Sequence, residues 1–232
     1  IIFIMPDIKD KKIIAIIPAR GGSKGILKKN IVDLGGYPLI AYSIAVAKLS
    51  KLINRVVVST DDKEIADISL KYGAEVPFLR PKKLASDKSP DIEFVAHALQ
   101  WFKGHENFEP EYLVHLRPTT PLRDPELIDK AINKIIANKE TTSLRSAHEL
   151  SESPHKFFEI KNEFFVGLFP EDKNPDFQNT PRQAFAPAYH PNGYVDVLKA
   201  QTINELQVIH GGKILPFITD KVVELDKVED LE

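Results

Sequence analysis

Ile13-Ile-Ala-Ile-Ile-Pro-Ala-Arg-Gly-Gly-Ser-Lys-Gly25 joins an uninterrupted apolar run to a glycine-rich turn, and the two halves together decide the fold. A continuous β-branched run bounded by proline and glycine reads as a strand buried on both faces, the kind found in parallel sheets. The turn behind it carries Arg20 and Lys24, with Lys28 and Lys29 close after. Glycines let the main chain approach an anion, successive backbone N–H groups form its cradle, and the cations supply charge. That combination suits a polyphosphate. Its spacing matches neither the Walker loop nor the Gly-x-Gly-x-x-Gly dinucleotide fingerprint.

Outward from this turn, apolar runs alternate with amphipathic stretches up to residue 145, the pattern of βαβ units in a mainly parallel sheet flanked by helices. Strands are expected at Ile13–Pro18, Arg55–Ser59, Glu75–Phe78 and Tyr112–Leu116. Helices are expected at Pro38–Leu49, at Lys63–Tyr72 behind an Asp61/Glu64 capping box, and at Pro125–Ala137 with proline in its first turn. Another carries Ile92, Val95, Ala96 and Leu99 on one face. Ligands in open α/β sheets sit at the carboxyl ends of strands. The glycine turn, Ser59-Thr-Asp-Asp62 and Arg117-Pro-Thr-Thr-Pro-Leu-Arg123 all follow strands, so one pocket can collect them.

From Thr142 the texture changes to short aromatic strands, Lys156–Ile160 and Glu163–Gly167, and then a polar, proline-containing stretch from Pro170 to Asn192. This reads as an insertion, after which strands return at Gly193–Leu198, Ile214–Ile218 and Val222–Leu225. A helix near Ala200–Gln207 and a short terminal helix complete the chain.

The bulk composition narrows the function classes. The 232 residues include 31 basic and 33 acidic side chains, for a net charge of −2, which argues against nucleic acid or membrane held by bulk electrostatics. With no cysteine there is neither a thiolate nucleophile nor a cysteine-held zinc, and a reducing cytoplasm is compatible. No apolar stretch approaches the roughly 20 residues that span a bilayer. Ile1-Ile-Phe-Ile4 lacks the form of a signal peptide, and Met5, the only methionine, is the expected start of translation.

Six segments, in order, resemble the acylneuraminate cytidylyltransferases (CMP-sialic acid synthetases). They are Ala19-Arg-Gly-Gly-Ser-Lys-Gly25 with Lys29-Asn30, Val58-Ser-Thr-Asp61, Leu79-Arg-Pro81 with Leu84-Ala-Ser-Asp87, Pro118-Thr-Thr-Pro-Leu-Arg123, Pro181-Arg-Gln183 with Pro191-Asn-Gly193, and Glu224-Leu-Asp226. The resemblance implies a Rossmann-like α/β domain of the nucleotide-diphospho-sugar transferase type, residues 12–145 and 190–232. It also implies an inserted dimerisation subdomain at 146–189 and hence a homodimer. The implied reaction joins CTP and a free nine-carbon α-keto sugar acid into a CMP-sugar with release of pyrophosphate.

The resemblance also distributes roles. Arg20, Ser23, Lys24 and Lys29 would hold the triphosphate, with Ala19, Gly21 and Gly22 lending backbone. Asn30, Arg80 and Ser86 would surround the cytosine. Asp226 and Glu224 would hold Mg2+, with Mn2+ as a substitute; family members usually carry Asp-x-Asp here, and two residues apart in a strand-like run share a face. Arg117, Thr119, Thr120, Arg123, Asn192, Gln183 and His190 fall at the sugar, with Lys156 and Arg182 as cross-subunit contacts. Arginine offers a planar fork to a carboxylate.

Two departures matter. The family commonly has glutamine where Arg117 stands and arginine where His190 stands. A cation for an amide, and a titratable imidazole for a fixed cation, suggest an acceptor such as legionaminic or pseudaminic acid rather than N-acetylneuraminate. Two other readings remain. An eight-carbon 3-deoxy-manno-octulosonate cytidylyltransferase normally carries Gln-Gly-Asp-Glu-Pro where Arg117-Pro-Thr-Thr-Pro121 stands. A catalytically silent nucleotide sensor of the same fold is the other.

Overall fold

The computed structural model describes residues 11–23, 25–169 and 176–231. The expected start at Met5 and the candidate phosphate ligand Lys24 lie outside the described residues. The chain runs β1 (Ile13–Pro18), the short pair β2 (Asp33–Leu34) and β3 (Tyr37–Pro38), α1 (Leu39–Leu49), β4 (Arg55–Ser59), α2 (Lys63–Lys71) and α3 (Asp91–Glu106). It continues with β5 (Tyr112–His115), α4 (Pro125–Ala137), β6 (Ser143–Glu149), β7 (Phe158–Lys161), β8 (Phe164–Gly167), β9 (Tyr189–Lys199), α5 (Ala200–Leu206) and β10 (Ile214–Ile218).

Six strands form one sheet in the order β10-β6-β9-β5-β1-β4. Pairings β1/β4, β1/β5 and β10/β6 are parallel, while β9 runs antiparallel to both its neighbours. The fold is therefore the mainly parallel, helix-flanked α/β sheet that the alternating pattern predicts. β1 lies inside it, and Ile13, Ile14, Ile16 and Ile17 are fully buried because helices cover both faces. Each such side chain contributes about 2–3 kcal/mol of burial. On one face α1 and α4 pack against Ile13, Ala15 and Ile17; on the other α3 and α5 pack against Ile14 and Ile16.

Three elements differ from expectation. Residues 75–78 form no ladder with β4, because Pro77 removes a ladder donor; this stretch of chain makes only the isolated bridges Val57 to Glu75 and Thr60 to Leu79. The segment 222–225 makes no ladder either; Leu225 N–H donates once, to Thr119 O at 2.8 Å. β6 was not expected at all, and it carries the main-sheet ladder as far as Glu149 opposite Tyr189, past the boundary anticipated at residue 145. The cap of α2 is also one residue later than expected. Asp62, not Asp61, accepts from Glu64 N–H and Ile65 N–H.

β7 and β8 form a separate two-stranded hairpin. Among the described residues no helix is long and apolar enough to cross a membrane.

Candidate active site

The glycine turn leaves β1 at the carboxyl edge of the sheet and is tied down by its own backbone. Ala19 N–H donates to Ser59 O (3.0 Å), and Asn30 Nδ2 donates to Arg20 O (2.9 Å). Gly21 N–H donates to Asp61 Oδ1 at 3.0 Å, which is what Asp61 does in place of capping α2. Two glycines are required by close approach. A Cβ on Gly21 would stand 2.8 Å from Asp62 Oδ2, and one on Gly25 would stand 2.8 Å from Asp226 O. The second contact is with backbone, which cannot swing aside.

The turn forms one wall of a cavity of about 400 Å3. Arg20, Ser23, Gly25, Lys29 and Asn30 come from the glycine segment, Arg80, Ser86 and Asp87 from the loop leading into α3, Asp91 from the first turn of α3, and Arg117, Pro118 and Thr119 from the turn after β5. The carboxyl ends of β1 and β5 therefore meet the segment that enters α3 where the topology says a ligand belongs. The cavity collects Arg20, Ser23 and Lys29 of the triphosphate candidates, all three base candidates, and two of those for the sugar, whereas Ala19, Gly21 and Gly22 do not line it.

Charge is held in fixed pairs around it. Arg20 donates to Asp87, and Lys29 Nζ lies 2.9 Å from Asp226 Oδ1 and 3.2 Å from Leu225 O. Arg80 is buried, donates through Nε to Ser59 Oγ (3.0 Å) and through NH2 to Ser59 O, and stacks over Phe94. Burial pulls its guanidinium down to about 10 against the fields of Asp61 and Asp91, so it stays charged at neutral pH. Ser86 Oγ is 2.9 Å from Ser89 Oγ at the cavity rim.

The sugar candidates separate into groups. Arg117 and Thr119 line the cavity. Arg117 donates from NH1 to Asp196 (3.1 Å) and from NH2 to Asp91 (2.7 Å), so its two outer nitrogens already face carboxylates. Burial opposes its charge, but Asp196 and Asp91 outweigh burial and hold its pKa above the ordinary value.

Thr120, Arg123 and Asn192, expected at the sugar, do not line this cavity. Thr120 is fully buried. Arg123 donates to Tyr194 O, Gly193 O, Arg117 O and Ser43 Oγ, bracing the Arg117–Arg123 turn against β9, and burial lowers its pKa to about 9. Asn192 is buried and donates to Thr219 Oγ1 at 2.7 Å.

Arg182 and Gln183 line a second cavity of about 300 Å3 with Glu149, Ser153 and Phe185. Lys156 ends the short turn Pro154–Lys156, and His190 lies exposed beside His148.

For a metal, the chemistry of the donors is suitable. Glu224 and Asp226 are both exposed, on either side of the buried Leu225. Mg2+ takes one or two carboxylates together with phosphate oxygens, and these are hard oxygen donors, Asp226 in contact with Lys29 of the glycine segment. Among the described residues no cluster of three or more histidine or acidic ligands exists, so the protein alone does not build a metal cage.

Sequence reasoning missed Asp87, Asp91 and Asp196 as partners of the site arginines. Asp196 had a readable signal, a charged residue inside the apolar run Tyr194–Leu198, where an acid is rarely buried without a partner.

Residues 14–167 match the family model described as cytidylyltransferase. An N-acylneuraminate cytidylyltransferase from Escherichia coli is 34% identical over 93% of this chain, which spans about half (49%) of that relative's length. A pseudaminic acid cytidylyltransferase from Campylobacter jejuni is 33% identical over 95% of this chain and 94% of its own. A CMP-N,N'-diacetyllegionaminic acid synthase from the same organism is 33% identical over 95% and 92%. Among solved structures, a CMP:2-keto-3-deoxy-manno-octonic acid synthetase complexed with CTP has a TM-score of 0.71 at 15% identity, covering 95% of each chain. A 4-diphosphocytidyl-2C-methyl-D-erythritol synthase from Anaerococcus prevotii has a TM-score of 0.62 at 14% identity, covering 95% of each chain. Those two likenesses speak for the fold alone. On the family model and the relatives, this chain belongs to the cytidylyltransferase family.

Proposed function

We propose that the protein transfers CMP from CTP to the anomeric hydroxyl of a sialic-acid-like nine-carbon α-keto sugar acid and releases pyrophosphate. The observation that carries this reading is the single cavity in which Arg20, Ser23, Lys29, Asn30, Arg80, Ser86, Arg117 and Thr119 converge from the ends of β1 and β5 and from the loop before α3. The named relatives act on sugar acids of this kind, which supports the acceptor class.

In this reaction the anomeric oxygen forms a bond to the α-phosphorus, the α–β phosphoanhydride bond breaks to release pyrophosphate, and the hydroxyl proton passes to water. Such transfers depend on alignment and charge stabilisation more than on covalent participation by the protein. Arg20 and Lys29 neutralise the triphosphate, and the backbone of Gly21 and Gly22 admits it closely. Asn30, Arg80 and Ser86 face the cytosine. Lys29 stays anchored through Leu225 O while its charge serves the phosphates. Asp226 and Glu224 hold Mg2+, which when bound screens phosphate charge and polarises the P–O bonds.

The same reading makes the protein a cytoplasmic homodimer. Ile160, Phe164 and Phe165 on the β7/β8 hairpin are more than 70% exposed, an apolar surface that a second copy would cover. The cysteine-free sequence agrees with a reducing compartment.

Incubation with CTP, Mg2+ and a panel of keto-sugar acids, followed by pyrophosphate release, tests the proposal. Release with legionaminic- or pseudaminic-type acids is the expected result. Preference for 3-deoxy-manno-octulosonate would favour the eight-carbon reading, and CTP binding without release from any acid would favour the sensor.

A further inference from the structure

Asp196 is the one buried acid among the described residues, 1% exposed in the middle of β9 between the fully buried Val195 and Val197. A carboxylate taken out of water is strongly disfavoured unless paired, so its partners account for its presence. Its Cα stands directly opposite His115 on β5 and Arg145 on β6. Directly opposed residues of antiparallel strands share a face, so His115, Asp196 and Arg145 form one polar row across the sheet. Arg145 Nε is 3.5 Å from Asp196 Oδ1, and Arg117 NH1 is 3.1 Å from Oδ2. Ring nitrogens of His115 and His210 each stand 3.9 Å away. Burial lowers the pKa of both imidazoles, so the permanently charged partners of the carboxylate are the two guanidiniums. Of those two, Arg117 alone lines the cavity beside the glycine turn.

We infer that Asp196 is a positioning residue for the acceptor end of the site: it fixes the Arg117 guanidinium, and with it the wall that the sugar acid meets, without touching substrate. This rests on the sugar-acid reading above. Arg117 is gripped from two elements, by Asp196 on β9 and by Asp91 in the first turn of α3. The two anchors differ in kind. Asp91 is 40% exposed and shares the cavity wall with Arg117, whereas Asp196 is sealed beneath it. An incoming carboxylate can therefore compete with Asp91 for NH2 while Asp196 keeps the guanidinium in place. Ordering a flexible arginine before substrate arrives removes that cost from the binding step. The pairing also accounts for a cation at position 117 in a turn otherwise typical of the family, because the acid that balances it is built into β9.

The test compares wild type with Asp196→Asn, Arg117→Gln and the double variant, measuring KM for acceptor and for CTP separately. Loss of one partner of a buried charge pair is expected to raise acceptor KM roughly tenfold or more. CTP KM is expected to stay within about twofold, and the double variant to be no worse than Arg117→Gln alone. If Asp196→Asn fails to fold, Asp196→Asn combined with Arg145→Gln restores the charge balance while leaving Arg117 intact, and the same acceptor-selective loss is expected. Equal rises in both KM values, or additive losses in the double variant, would overturn the inference. A second arm needs no turnover: NMR of the Arg117 side chain should show an ordered guanidinium in wild type and a mobile one in Asp196→Asn. An equally ordered Arg117 in both would overturn the positioning role. A freed Arg117 in a protein that turns over no sugar acid would instead overturn the acceptor reading on which the inference rests.

Discussion

Lys29 Nζ and Asp226 Oδ1 meet at 2.9 Å across 197 residues of sequence, joining the phosphate-facing segment to the proposed metal-binding segment. The contact is lopsided. Lys29 is mostly enclosed, with 16% of its side chain exposed, whereas the Asp226 side chain is 65% exposed. An ion pair with one partner so open to water contributes less than about 1 kcal/mol to stability, so its value lies in placing charge.

Asp226→Asn is therefore expected to abolish Mg2+-dependent turnover while moving the thermal midpoint by no more than a few degrees. Turnover assayed across a Mg2+ titration, beside a melting curve, checks both halves. Full activity in the variant would remove Asp226 from the site.

Gly25→Ala probes the same junction from the other side. The added Cβ would stand 2.8 Å from Asp226 O, so one of the two backbone segments must shift and the placement of Asp226 against the glycine segment changes. A misplacement of about 1 Å can cost on the order of a hundredfold in rate. Steady-state kinetics are expected to show a fall in kcat with circular dichroism unchanged.

Asp61 and Asp62 are adjacent in sequence and separable by experiment. Asp62→Ala removes the cap of α2 and is expected to cost about 1 kcal/mol of stability, read by denaturant unfolding. Asp61→Ala releases Gly21 N–H and is expected to weaken CTP binding severalfold in calorimetry, with little loss of stability.

The buried imidazoles set a pH dependence. His115, His210 and His97 all have pKa values lowered by burial from the ordinary 6.5. The unfolded chain binds their protons first, so unfolding is favoured as pH falls below about 6.5 and each affected histidine costs up to about 1.4 kcal/mol per pH unit. Unfolding midpoints are expected to drop between pH 7 and pH 5. His115→Phe should flatten that slope, and an unchanged slope would show that His115 takes its proton without unfolding.

Much of this fold was legible from simple patterns. β1 and β4 are plain apolar runs, and α4 announces itself with proline in its first turn and a regular apolar stripe. β6 escaped because Ser-Leu-Arg-Ser-Ala-His-Glu does not read as a core strand until its polar face is matched. Arg145 faces Asp196, and Ser146 Oγ accepts Val195 N–H where the β6/β9 register shifts. The same hidden pairing concealed the partners of Arg117. Motif order located the cavity wall, but it could not distinguish side chains facing a ligand from Arg123 and Asn192, which brace the walls from behind. The difference arises from tertiary contacts dozens of residues away.

The most direct test follows phosphorus itself. With CTP, Mg2+ and a nine-carbon α-keto sugar acid, 31P NMR should show the α-resonance of CTP replaced by a single CMP-sugar phosphodiester, with an equal amount of pyrophosphate. Hydrolysis of CTP to CMP without sugar attachment, or an unaltered CTP spectrum with every such acid, would contradict the account.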